Sequence, residues 1–152
     1  CGTAEAVELA RKHPLMRALR PDKLTIAGLA TTLALYRDGR ASEVPTVAML
    51  AASAAELRAR ADALATAIGS VDGLVIAVEA CESAVGGGAM PTARLPSFAV
   101  TLAGRPEDDI DRLLREAPVP VIARIEGGRV WLDLRTIAIA DIDDVIVAAR
   151  RL

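Results

Sequence analysis

At 152 residues the chain has room for one domain, or one domain with a short leading arm. Hydrophobic residues make up 53% but aromatic residues only 2%, so the core must come from Ala, Val, Leu and Ile, and the composition argues against a stacking platform for single-stranded nucleic acid. A net charge of −2 gives no overall field that would gather a polyanion, so any such contact needs a local basic patch or another part of a parent protein.

Residues 4–12 read as a short helix that Pro14 interrupts. Asp22 reads as the N-cap of a second helix over residues 23–36, with Leu24, Leu29, Leu33 and Tyr36 as an approximate apolar stripe and Gly39 as a left-handed stop. Residues 44–51 predict one or two helical turns behind Pro45. Ser53-Ala54-Ala55-Glu56 fits the capping box S-x-x-E, and the Ala-rich helix after it should bury Leu57, Ala61, Leu64 and Ile68 and stop at Gly69. The character then changes: residues 74–80 and 97–102 are β-branched and apolar, hence strands. Residues 106–117 form an acidic-then-basic helix, ordered as the helix dipole favours. Residues 121–126 and 129–134 flank Gly127-Gly128, a two-residue hairpin signal, and Asp141 or Asp143 caps a last helix ending at Arg150-Arg151. The predicted class is α+β: leading helices, then a small antiparallel sheet with helices on one face. The predicted organisation is residues 1–40 as the end of a larger domain or a linking segment, and residues 41–152 as a small α+β domain. The missing initiator Met at Cys1 predicts a piece of a larger protein.

The richest chemistry lies in His13-Pro14-Leu15-Met16-Arg17-Ala18-Leu19-Arg20-Pro21-Asp22-Lys23. If residues 16–19 are helical, Arg17 and Arg20 share a face, and two guanidiniums there repel unless a negative group sits between them. A phosphate-sized oxyanion fits the planar forks. The competing reading is a solvated basic face around a Pro-broken helix, with Asp22 pairing one arginine. Gly86-Gly87-Gly88 lacks the Lys-Ser/Thr of a P-loop and reads as a bent connection. Cys81, between Glu79 and Glu82, is a poor nucleophile. His13 is the sole imidazole, no serine has the pattern of a triad partner, and one His with two Cys makes no zinc site. Asp141, Asp143 and Asp144 read as a helix start rather than a metal site. No apolar run reaches the ~20 residues of a membrane span and no signal peptide is visible, so the cytoplasm is the expected location.

Four stretches together resemble the bacterial selenocysteine synthase family, the L-seryl-tRNA(Sec) selenium transferases. They are Lys12-His13-Pro14-Leu15 through Asp22-Lys23-Leu24-Thr25; Gly86-Gly87-Gly88 with Pro91 and Leu95-Pro96-Ser97; Pro120-Val121-Ile122-Ala123-Arg124-Ile125-Glu126; and Leu132-Asp133-Leu134-Arg135-Thr136. The resemblance covers nearly the whole chain, in the family's order. It implies the C-terminal part of a fold-type I enzyme dependent on pyridoxal phosphate, converting seryl-tRNA(Sec) to selenocysteinyl-tRNA(Sec) with selenophosphate. It implies that Arg17 and Arg20 bind the donor's oxyanion, and that the Schiff-base lysine and the tRNA-recognition domain lie upstream. No catalytic, cofactor-binding or metal-binding residue is then expected in this segment, which should be inactive alone. The parent would be an oligomer of dimers. Two readings stay open beside it: a related pyridoxal-phosphate lyase or transferase acting on a small phosphorylated amino acid, and a free-standing α+β interaction module.

Overall fold

Capping chemistry sets most of the helix boundaries. The computed structural model describes residues 2–86 and 92–152, and the chain divides into two compact units, Cys1–Val44 and Pro45–Leu152.

In the first unit the Thr3 hydroxyl accepts from the Ala6 N–H at the start of α1 (Ala4–Lys12). Pro14 opens a single turn, α2 (Leu15–Ala18), and the Asp22 carboxylate caps α3 (Lys23–Arg37) by accepting from the Thr25 N–H at 2.8 Å. A 3-10 turn, Ala41–Glu43, follows. The caps fall where the residue types predict, but the apolar stripe of α3 has no core to meet. Leu24 is 81% exposed, and Leu29, Leu33 and Tyr36 are each at least half exposed.

The second unit begins with α4 (Pro45–Ala51) and α5 (Ala54–Ile68). The predicted capping box is complete: Ser53 accepts from the Glu56 N–H, and the Glu56 carboxylate accepts from the Ser53 N–H. Gly69 closes the helix at φ +74°, a conformation that favours glycine. Leu57, Ala61, Leu64 and Ile68 are buried, one apolar face repeating every three or four residues.

Strands β1 (Val75–Ala84), β2 (Arg94–Ala103), β3 (Arg124–Glu126) and β4 (Arg129–Asp133) form one antiparallel sheet in the order β1-β2-β4-β3. Helices α6 (Glu107–Arg115) and α7 (Ile142–Ala149) complete the unit. Register decides the faces. Ile76 lies opposite Leu102, which lies opposite Val130; Val78, Val100 and Leu132 make the next row. Those rows pack with Leu57, Leu64, Ile110, Leu114, Val145 and Ala148 in one core, so the helices cover that face. The alternate residues, Glu79, Cys81, Ser97, Thr101, Trp131 and Asp133, point the other way, as the two-residue strand period requires.

Several boundaries move. β1 starts at Val75 and continues to Ala84, four residues past the apolar run, because ladder pairing with β2 carries the polar stretch Cys81–Ala84. The first hairpin arm is a strand only over Arg124–Glu126. Val121 is buried and its N–H donates to the Leu114 carbonyl, so it closes α6 rather than extending the sheet. Gly127 and Gly128, at φ +60° and +72°, make the two-residue turn. Asp141 occupies the N-cap position of α7 without a side-chain cap bond, after a 3-10 turn over Ile139–Asp141.

Candidate functional site

The candidate site lies where α2 gives way to α3. α2 ends at Ala18, and its C-cap Leu19 has φ −92° and ψ 3°. Arg20 and Pro21 are therefore in the connection. Arg17 and Arg20 do not share a helical face, because Pro21 and its bias against a helical predecessor end the helix early. A surface depression nevertheless receives both, lined by Met16, Arg17, Arg20, Pro21, Asp22, Lys23 and Ile26.

Among the described residues the cations there have no side-chain partner. In the same unit Arg11 holds Glu8, Arg37 holds Asp38 and Arg40 holds Glu43, at 2.8, 2.8 and 2.6 Å. Among the described residues none makes a hydrogen bond or ion pair with the side chain of Arg17, Arg20 or Lys23. Asp22, the carboxylate nearest in sequence, is already engaged. Backbone N–H groups of Thr25 and then Leu24 hold its carboxyl below the usual carboxylate range. It caps α3 instead of neutralising an arginine. His13 also turns to the backbone, its Nδ1 accepting from the Leu15 N–H at 3.2 Å, and a neutral imidazole accepting there carries its proton on Nε2.

The other sequence candidates lie elsewhere. Cys81 is on the helix-free face of the sheet; burial, then the charge of Asp133, pushes its thiol up, away from the reactive thiolate. Gly86 has φ +104°, and Gly87 and Gly88 lie outside the described residues. Among the described residues no three His, Cys, Asp or Glu side chains gather as metal ligands, and no helix is long and apolar enough to cross a membrane. The chain's two lysines do not fit a covalent pyridoxal-phosphate site. Lys12 is exposed and paired with Glu8 at 3.1 Å, and Lys23 opens α3 beside the two arginines.

Two of the stretches that carry the family resemblance meet in space, a juxtaposition the sequence reading missed. Asp133 accepts from the hydroxyls of Ser83 and Ser97 at 2.5 and 2.6 Å and from the Arg135 N–H at 3.0 Å. The buried Arg135 guanidinium donates to the carbonyls of Met49, Ala52 and Pro96 at 2.6, 3.0 and 2.7 Å. Leu95-Pro96-Ser97 and Leu132-Asp133-Leu134-Arg135-Thr136 are thus two halves of one latch. The polar interruptions in apolar strands were the available signal, but their partners lie 36 or more residues away.

Comparison with known proteins decides the family. A profile described as L-seryl-tRNA selenium transferase matches residues 1–138. The chain belongs to that family. A relative from Geotalea uraniireducens, named L-seryl-tRNA(Sec) selenium transferase, is 46% identical over 148 residues, covering 93% of this chain and 32% of the relative. Relatives of the same name from Geobacter sulfurreducens and Escherichia coli O45:K1 are 42% and 40% identical, covering 99% and 88% of this chain. The chain spans about a third of the length of these selenium transferases, 34% and 31% for the latter two.

Proposed function

We propose that this chain is the C-terminal part of an enzyme that converts seryl-tRNA(Sec) to selenocysteinyl-tRNA(Sec), and that Arg17 and Arg20 hold the oxyanion of selenophosphate. The observation that carries the site is the pair of guanidiniums, unpaired among the described residues, that line one depression beside a carboxylate engaged elsewhere. The family and the printed names of the relatives supply the reaction. In its overall balance the seryl hydroxyl leaves as water, a C–Se bond forms, the donor's Se–P bond breaks, and water takes up the phosphoryl group through a new P–O bond to give phosphate. Arg17 and Arg20 would fix the phosphoryl end of the donor with charge-assisted bonds and leave selenium free to be transferred.

The family resemblance implies pyridoxal phosphate, which when bound would supply an electron sink at the seryl carbon. Since Lys12 and Lys23 do not fit it, the cofactor lysine belongs to the parent protein outside this chain, and the segment alone is inactive. On this reading residues 1–40 end the cofactor domain or link to it, tRNA is bound through a domain outside the chain, and the parent works in the cytoplasm as an oligomer of dimers. The selenium transferase names of the relatives give no support to the lyase or free-standing-module readings.

The test is selenocysteinyl-tRNA formation by the longer protein at limiting selenophosphate. Arg17→Ala or Arg20→Ala should lower the rate roughly tenfold to several hundredfold with cofactor absorbance unchanged. Arg→Lys should rescue poorly, because an ammonium cannot reproduce the fork. Arg151, exposed at the far end of the chain, is the control. Equal activity of the Arg17, Arg20 and Arg151 variants would return the stretch to a solvated basic face.

A further inference from the structure

We propose that Lys23 is the third cation of this site and that it tunes the site to dianionic tetrahedral oxyanions; the proposal rests on the oxyanion reading of Arg17 and Arg20. Lys23 is the first residue of α3, and the first turn of that helix contains no acid. A cation at the positive end of a 15-residue helix is placed against the helix dipole. Two arginines beside it make the placement worse. The chain nevertheless gathers Arg17, Arg20 and Lys23 around one depression. Lys12, the other lysine, has a carboxylate partner in Glu8. Asp22 also lines the depression, but its oxygens face the N–H groups of its own helix. His13 is not among the residues lining it.

Three cations and one carboxylate leave a formal charge of +2, which a dianion cancels and a monoanion does not. The roles divide by chemistry. The guanidinium forks match the planar edge of a tetrahedral oxyanion and select shape, whereas an ammonium is a point charge on a flexible stem and selects charge. Removing Lys23 should therefore cost discrimination between anions of equal shape and unequal charge.

The experiment titrates the longer protein by calorimetry at about pH 8, where inorganic phosphate is mostly the dianion, and at constant ionic strength. The probes are inorganic phosphate as dianion and methanesulfonate as a monoanion of similar shape. The wild-type protein should prefer phosphate. Lys23→Met should weaken phosphate roughly five- to tenfold, the loss of one screened charge-assisted contact, and leave methanesulfonate nearly unchanged. Lys23→Arg should keep the preference, and Arg17→Ala should weaken both anions. If Arg17→Ala weakens phosphate and Lys23→Met does not, the role of Lys23 is overturned while the two-arginine reading stands. A Lys12→Met loss equal to that of Lys23→Met would also overturn it, by showing only a general charge effect. If neither Arg17→Ala nor Lys23→Met weakens phosphate binding by the longer protein, both readings are overturned.

Discussion

At the residue scale, the second unit is held by two charged side chains used as fasteners. Asp133 gathers Ser83, Ser97 and the Arg135 N–H, and Arg135 ties carbonyls at the end of α4 to β2. Arg135 is itself buried, as are the Ser83 and Ser97 hydroxyls that Asp133 holds, so removing either fastener leaves polar atoms without their partners. Arg135→Ala is expected to destabilise the unit by about 3 kcal/mol or more, and Asp133→Ala by about 2–3 kcal/mol, both measured by chemical denaturation. A loss within ~0.5 kcal/mol for both would show that water replaces them without cost. Cys81 gives a second test at this scale. Burial and the Asp133 charge raise its thiol, so the pH midpoint for its alkylation, followed by peptide mapping, should exceed the ~8.5 of a free thiol. A midpoint at or below that value would contradict the assignment.

Among the elements, α5 shows local and tertiary causes in agreement. Its capping box satisfies helix-end donors, and its buried face carries leucines and isoleucine worth about 1.5–3 kcal/mol each on burial. Ser53→Ala should cost about 1 kcal/mol, within the range seen for lost caps, and a neutral result would remove the box from the account. Acid should weaken the same cap. The Glu56 carboxyl is held low by the Ser53 hydroxyl and then the Ser53 N–H, and Asp22 is held low by backbone N–H groups. A lowered carboxyl contributes fully above its unfolded value, and the contribution disappears as pH falls through the folded one. Amide protection at the starts of α3 and α5 should therefore fall on acidification below the ordinary carboxylate range while the helix centres hold. The turn after β2 is set by sterics: Gly104 has φ +98°, and a Cβ there would lie 2.6 Å from the Gly73 carbonyl oxygen. Gly104→Ala combines backbone strain with that clash and should cost about 2 kcal/mol or more in thermal unfolding.

For the whole molecule, burial separates the two units. Among the described residues of the first unit none is buried, and Val7, Leu9, Leu15, Leu19, Leu24 and Ile26 stand half or more exposed. Helices of that length without a packed face are marginal in water. The second unit has a continuous core on one side of its sheet. Residues 45–152 alone should unfold cooperatively, and in the whole chain amide exchange should be fast throughout the first unit and slow in β2 and α5. Equal protection in both units would contradict this separation.

Local chemistry made much of this legible in sequence. Asp22, Ser53-Glu56 and Gly69 mark helix ends because each bonds or bends within a few residues of itself. The buried face of α5 and the Gly127-Gly128 turn follow from periodicity and backbone sterics in the same way. The cation stretch at Arg17, Arg20 and Lys23 was equally visible. Tertiary structure decided what lies between distant residues. Pairing with β2 carried β1 to Ala84, and the fold brought Ser83, Ser97 and Asp133 together and seated Arg135 on three carbonyls. It also decided that Asp22 caps a helix and leaves the arginines open, a choice between two partners within reach of one carboxylate. A sequence encodes a residue's nearest partners through spacing, but long-range polar pairs depend on register and on which face each strand presents.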